Sequence, residues 1–318
     1  MLVLTAGLSI IAFAGFQAVS TSATLMAGLR DDFQAQTAVF SAEQETLFAF
    51  LTAQPTNRGL YTGPPLDGEA IALGVTSIAE IDASAFWRGD GASRLASQAE
   101  GDVRVVYQDG GAFLYLGFED AAIAAALFQA LGASRMDSEA FAARLGDYQD
   151  MDFTRRFRGG ERSDYRIARM APPTDSPLRA AGELTRVLGA DALLTPDLLR
   201  RLERLTAYGA GYSPMKAAYL SPELGPVLER HLERDDLNTV AASDPSPSAI
   251  ARFTFSAAGA ETVFHRVIQY ERRAFGEARP FRRTFVEERV SDDVAGFQGE
   301  VNGSIPTIPP AAVTGPPD

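Results

Sequence analysis

The chain opens on an apolar run without charge: no Asp, Glu, Lys or Arg occurs from Met1 to Leu29. Crossing a bilayer core as a helix takes roughly 20 apolar residues, which this run supplies. Thr5, Ser9, Gln17 and Ser20 to Ser22 interrupt it. Hydroxyl side chains are tolerated in such a helix because they bond back to the preceding turn. Leu29, Phe33, Phe40, Leu47 and Leu51 then recur at steps of four and seven, an apolar stripe along one helix face. Neither Gly nor Pro falls between Leu29 and Ala53, and Pro55 supplies a stop. The pattern predicts one rod of roughly 50 residues, about 75 Å long at ~1.5 Å per residue. A cleaved secretory signal would need a basic start, which is missing, although Thr21 to Ala27 imitates a cleavage site. Such a signal has no need of the amphipathic continuation, so the run reads as an uncleaved anchor.

The period then changes. Gln54 to Gly68 is rich in Pro and Gly and reads as turns. Val103 to Tyr107 and Phe113 to Leu116 are strand-like, and the intervening Gln108-Asp109-Gly110-Gly111 predicts a hairpin between them. From Glu119 to about Arg234 the pattern is helical. Glu119 and Asp120 suit a helix start; Ile123, Leu127, Phe128 and Leu131 trace one face, and Gly132 ends it. Further helices are predicted over Ser138 to Tyr148, Leu178 to Val187, Thr195 to Leu205 and Ser221 to Leu232, the last two opened by Thr-Pro and Ser-Pro. Asp235 to Ser248 reads as a linker. Phe253 and Phe255 restore a period of two; Phe264, Arg266, Ile268 and Tyr270 share one face of a second strand, and Pro280 to Arg289 forms a third.

The class is therefore α+β: a membrane-spanning helix (1–53), a body (54–118), a large inserted α-helical domain (119–235), closing strands (249–302) and an unstructured Pro-rich tail (303–318). Composition adds constraints. The net charge of −12 would repel phosphate backbones, so no nucleic-acid partner is expected. Lys216 is the sole lysine, and the absence of cysteine excludes disulfides and thiolate metal sites. Trp87, the only tryptophan, reads as a core residue.

Several landmarks fall in the order found in the K-type minor pseudopilins of type II secretion, the general secretion pathway protein K family, and the chain resembles that family from the anchor to about Leu232. Ser41-Ala42-Glu43 stands where the family commonly has Ala-Glu-Ala-Gly. Gln108 to Gly111 followed by Phe113 to Leu116 looks like its Asp-Glu-x-Gly turn and next strand. Asp147-Tyr148-Gln149-Asp150-Met151-Asp152 is similar to Asp-Trp-Arg-Asp-x-Asp. Gly159-Gly160-Glu161 with Tyr165 stands for Gly-Ala-Glu then Tyr. Gly182-Glu183-Leu184, Val187-Leu188-Gly189 and Thr195-Pro196 resemble Glu-Leu-x-x-Val-x-Gly-Met-Thr. The family's Asn-rich strand is replaced by Leu114 to Leu116, and its Asn-Val-Asn-Thr-Ala segment by Tyr212 to Ala218. Its basic leader and cleavage glycine are not visible before the apolar run.

The resemblance implies a pilin-like antiparallel sheet packed on the long helix and a place at the tip of a periplasmic pseudopilus. It also implies the I- and J-type minor pseudopilins and the secretion machinery as partners, an inner-membrane anchor, and no catalytic role. Calcium is known in several pseudopilins, and Asp147, Asp150, Asp152 and Glu161 are candidate oxygen ligands here. Their spacing lacks an EF-hand loop, and a solvated acidic turn with helix caps is the blander reading. Two other functions stand beside this one. A membrane-anchored periplasmic hydrolase lacks Gly-x-Ser-x-Gly and His-Glu-x-x-His, and its only histidines are His231 and His265. A DNA-uptake pilin would use Leu184 to Leu205 as a helical hairpin around Gly189, with Arg186, Arg200, Arg201 and Arg204. Glu183, Asp191, Asp197 and Glu203 interleave with those arginines, so a structural hairpin is the reading preferred.

Overall fold

The computed structural model describes residues 2–64, 66, 80–117, 121–208, 213–232, 246–273 and 280–292, without the side chains of 2–12 and 230–232. Glu119, Asp120, most of the linker and the tail lie outside the described residues.

Helix α1 (Leu2–Thr52) is the single rod that the pattern predicts. Three of its threonines, Thr24, Thr37 and Thr52, each donate to the carbonyl four residues earlier, at 2.8–3.0 Å. Among the described residues no helix is long and apolar enough to cross a membrane. Leu2, Val3, Leu4, Ile10 and Ile11, a dense apolar part of the run, lie where side chains are not described.

The buried face of α1 is not the stripe that the sequence suggests. Leu29 and Phe33 are 66% and 70% exposed, Phe40 is 42% exposed, and of the stripe only Leu47 is buried. Ala35, Ala38, Val39, Ala42, Ala49 and Phe50 are buried instead. The sheet supplies the bulk on its own side, so the helix must offer small residues to approach it. Trp87 and Tyr107 lie 5.2 Å apart at their ring centroids, Tyr107 stacks on Phe253 at 5.1 Å, and Phe50 meets Phe253 edge-on at 5.5 Å.

That sheet has five strands in the order β10-β9-β8-β5-β4 and is antiparallel throughout. Its strands are β4 (Asp90–Gln98), β5 (Gly101–Asp109), β8 (Ile250–Ala258), β9 (Val263–Arg272) and β10 (Phe281–Ser291). Short strands β1 (Gln54–Thr56), β2 (Gly59–Tyr61) and β3 (Phe86–Trp87) form a smaller antiparallel sheet. The three closing strands follow the period-two pattern. Phe264, Arg266, Ile268 and Tyr270 are all buried, as their shared face requires.

The predicted hairpin at Asp109-Gly110 does not form. β5 turns back through Ala99-Glu100 to β4, while β6 (Leu114–Tyr115) pairs in parallel with β7 (Thr206–Ala207). A tight Asp-Gly hairpin needs left-handed backbone, and neither Gly110 nor Gly111 has a positive φ. The glycines serve close packing instead. A Cβ on Gly110 would lie 2.9 Å from that of Ile250, and one on Gly111 would lie 2.6 Å from Cγ of Lys216. Asp109 is fully buried and accepts from Gly111 N at 2.8 Å and from both the N and Oγ of Ser248 at 2.6 Å.

Between β5 and β8 the chain builds a second core. It contains α2 (Ala121–Ala130), α3 (Arg135–Gln149), α4 (Arg162–Ile167), α5 (Ala190–Leu193), α6 (Pro196–Leu205) and α7 (Gly225–Leu232). Gly132 sits at φ 99° and closes α2 by donating to Gln129, with Ala133 donating to Phe128, so the predicted stop is met. Thr195 caps α6 by accepting from Leu198 N, also as predicted. Leu178 to Val187 is extended until a 3-10 turn at Ala181–Arg186. Leu127, Phe128, Phe141, Leu145, Tyr165 and Leu202 are among the side chains filling this core. Arg252 of β8 ties the two cores together. It stacks over Phe113 at 4.0 Å and donates to the carbonyls of Glu203 and Thr206 at 2.9 and 2.8 Å, at the electronegative end of α6.

Glu43 fixes the rod on the sheet. It is fully buried and accepts from Arg266 Nε at 2.8 Å, from the Tyr270 hydroxyl at 2.6 Å and from Arg283 at 2.9 Å. Glu43→Ala leaves two arginines facing an empty site, so it should lower stability by about 3 kcal/mol or more. Urea denaturation should show a reduced midpoint with an unchanged m value, and Glu43→Gln an intermediate loss.

Candidate functional site

Helix α3 ends at Gln149, and the chain runs exposed from Met151 to Arg158 before Gly159, Gly160 and Glu161 return it to the core at the start of α4. Four acids bracket this excursion. Asp147, on the last turn of α3, is completely buried. It accepts from the Arg156 guanidinium at 2.7 Å, from Arg156 N at 3.2 Å and from Gly160 N at 2.8 Å. A buried carboxylate with three donors is satisfied, and its job is to brace the loop. Gly159 is required beside it, since a Cβ there would collide with the Asp147 carboxylate.

The remaining three converge. One carboxylate oxygen from each of Asp150, Asp152 and Glu161 lies within 4.8 Å of the others. Arg156 also pairs with Asp150 through its second oxygen, leaving Asp150 Oδ1 buried without a partner. Oε1 of Glu161 is likewise buried and unpartnered, on a residue only 8% exposed. Burial, reinforced by the charges of Asp147 and Asp150, raises the Glu161 pKa above its ordinary value. Clustered carboxylate oxygens, two of these residues each keeping one buried and unpartnered oxygen, are the type of donor that a hard cation takes. The structure thus unites three of the four sequence candidates and gives Asp147 a different task. Arg156 escaped the sequence reading, because nothing local marks which arginine of Arg155, Arg156 and Arg158 turns inward.

The other sequence candidates do not converge. Nδ1 of His265 lies 2.7 Å from the Ser256 hydroxyl on the neighbouring strand, and the His231 side chain is outside the described residues. Gly189 has the left-handed backbone of a helical-hairpin turn, at φ 77°. Two of the four arginines named with it are engaged locally: Arg200 pairs with Asp197, and Arg201 with Glu223 and the Leu131 carbonyl.

The architecture is thus an α1 rod on an antiparallel sheet, with a helical insert between the adjacent strands β5 and β8. Residues 118–208 match the family model described as type II secretion system (T2SS), protein K. A chain of the crystal structure of the GspK-GspI-GspJ complex from the type 2 secretion system of enterotoxigenic Escherichia coli has the same fold. Its TM-score is 0.54 at 15% identity, covering 82% of this chain and 99% of that one. No curated protein matches the sequence.

If Asp147 braces the loop, Asp147→Ala should release it. Limited trypsin digestion should then cut at Arg155, Arg156 or Arg158 roughly tenfold faster than in the parent, before any cut in α3.

Proposed function

We propose that this chain is a K-type minor pseudopilin, placed at the tip of the periplasmic pseudopilus of a type II secretion system and acting in its assembly and in protein export. The protein K match across the insert carries the reading. The fold shared with a chain of the GspK-GspI-GspJ complex supports it and nominates the I- and J-type pseudopilins of the same system as partners. The role is mechanical. The apolar start of α1 anchors the chain in the inner membrane, and the sheet is the pilin-like body that sits on the rod. Leu25, Leu29 and Phe33, each more than 60% exposed, are free to pack among neighbouring rods. The bulk of the insert obstructs further addition above it.

Co-expression with the I- and J-type pseudopilins of its own system tests this. A stable ternary complex is expected, and Leu29→Glu with Phe33→Glu should weaken it while leaving the fold intact. Failure of the three to associate would sink the tip assignment.

Calcium is the cation that the Asp150, Asp152 and Glu161 oxygens fit, and we place it there. Calcium should raise the thermal midpoint of the chain, and chelation should reverse the rise. Because the Glu161 pKa is raised, protons compete with the ion sooner than at an ordinary carboxylate. Affinity measured by calorimetry should therefore fall as pH drops from neutrality through that raised value. Glu161→Gln should remove most of the binding.

A further inference from the structure

The exposed excursion and α4 carry a surface for which the secretion role gives no account. Met151, Phe153, Phe157 and Ile167 are 84%, 74%, 87% and 79% exposed. Side chains of that size seldom stand so free of neighbours unless something covers them. They occur in a segment, 151–170, with six arginines, of which Arg155 pairs with Asp164, Arg156 with Asp147 and Asp150, and Arg162 with Asp175, on a chain whose net charge is −12. Arg158, Arg166 and Arg169 have no ion pair among the described residues. Arg162 lies over the Phe153 ring at 5.7 Å and Arg158 over Phe157 at 5.4 Å. An ion pair from Arg155 to Asp164 at 3.2 Å holds the excursion against α4. Beside it Arg162, Arg166 and Arg169 line an open hollow with Met170 and Pro172. Arg158 and Arg169 occupy left-handed backbone, at φ 63° and 57°, a conformation that long side chains seldom take.

We propose that this segment docks on an anionic phospholipid surface, with Phe153 and Phe157 entering the interface and the arginines held at the level of the phosphates. Charge complementarity selects the partner: the patch is basic, and the rest of the chain would be repelled by the same surface. The form of the patch selects lipid over an acidic protein. A protein interface gathers its apolar residues into a central core ringed by polar ones. Here exposed apolar and cationic side chains, Met151, Phe153, Arg155, Phe157 and Arg158, are interspersed along one exposed stretch of chain with Asp152 and Thr154 among them. That mixture suits a boundary where tips enter the acyl region and guanidinium groups stay with the headgroups.

The chain lacks cysteine, so Thr154→Cys provides a single point for an environment-sensitive fluorophore within the segment. The full chain is held in phosphatidylcholine nanodiscs, which cover its apolar N-terminal run. Vesicles of phosphatidylcholine, with or without phosphatidylglycerol, are then added in separate arms. A blue-shifted, brighter emission is expected only with phosphatidylglycerol, quenched by spin-labelled lipid in those vesicles and weakened by added salt. R158E/R166E/R169E should reduce binding roughly a hundredfold, and F153S/F157S should abolish the spectral shift. These changes touch exposed side chains, and an unchanged thermal midpoint separates lost binding from lost fold. No response to anionic vesicles, or an equal response from the charge-reversed chain, would overturn the proposal. So would a response to soluble polyglutamate as strong as that to vesicles, which would give the patch to an acidic protein.

Discussion

A carboxylate taken out of water must find charge and hydrogen-bond donors together, and Glu43 meets that demand only when α1, β9 and β10 are assembled. Its donors come from Arg266, Tyr270 and Arg283, more than 220 positions away in the chain. Hydrophobic contact holds a helix against a sheet but leaves it free to slide or rotate by a fraction of a turn. A buried ion pair with three fixed donors removes that freedom, because any other register strands a charge. The alanines around Glu43 complement it. They let the helix axis come close enough for a short acidic side chain to reach the strands.

Once that register is set, the sheet becomes a platform for the insert. β5 leads into the insert and β8 leads out of it, and the two strands pair directly. The joint is polar and buried. Asp109 accepts from Ser248 and Gly111, Lys216 donates to the Ser246 carbonyl at 2.7 Å, and Arg252 closes the end of α6 from the other side. Burial raises the Asp109 pKa while its hydrogen bonds oppose the rise. A joint made of directional bonds holds a large insert in one orientation.

The insert then presents its own loop. Asp147 draws Arg156 inward and frees the neighbouring arginines and phenylalanines to face outward. In the same turn Asp150, Asp152 and Glu161 come together, with Asp152 exposed and Glu161 buried.

Local signals along the sequence determined what local physics can determine: the length of α1, the stop at Gly132, the cap at Thr195, and the period-two strands that close the sheet. Each depends on residues a few positions apart. The protein K landmarks were legible for the same reason, as short segments in a fixed order. Three features were decided only by the tertiary structure. The helix face that meets the sheet is the alanine face, because the aromatic bulk is supplied from Tyr107, Trp87 and Phe253. Gly110 and Gly111 allow close approach to Ile250 and Lys216, where their spacing alone looks like a hairpin. Asp147 braces the loop, because Arg156 turns inward to meet it. In all three the deciding partner is brought in by the fold, and a spacing pattern cannot say what will occupy the space beside it.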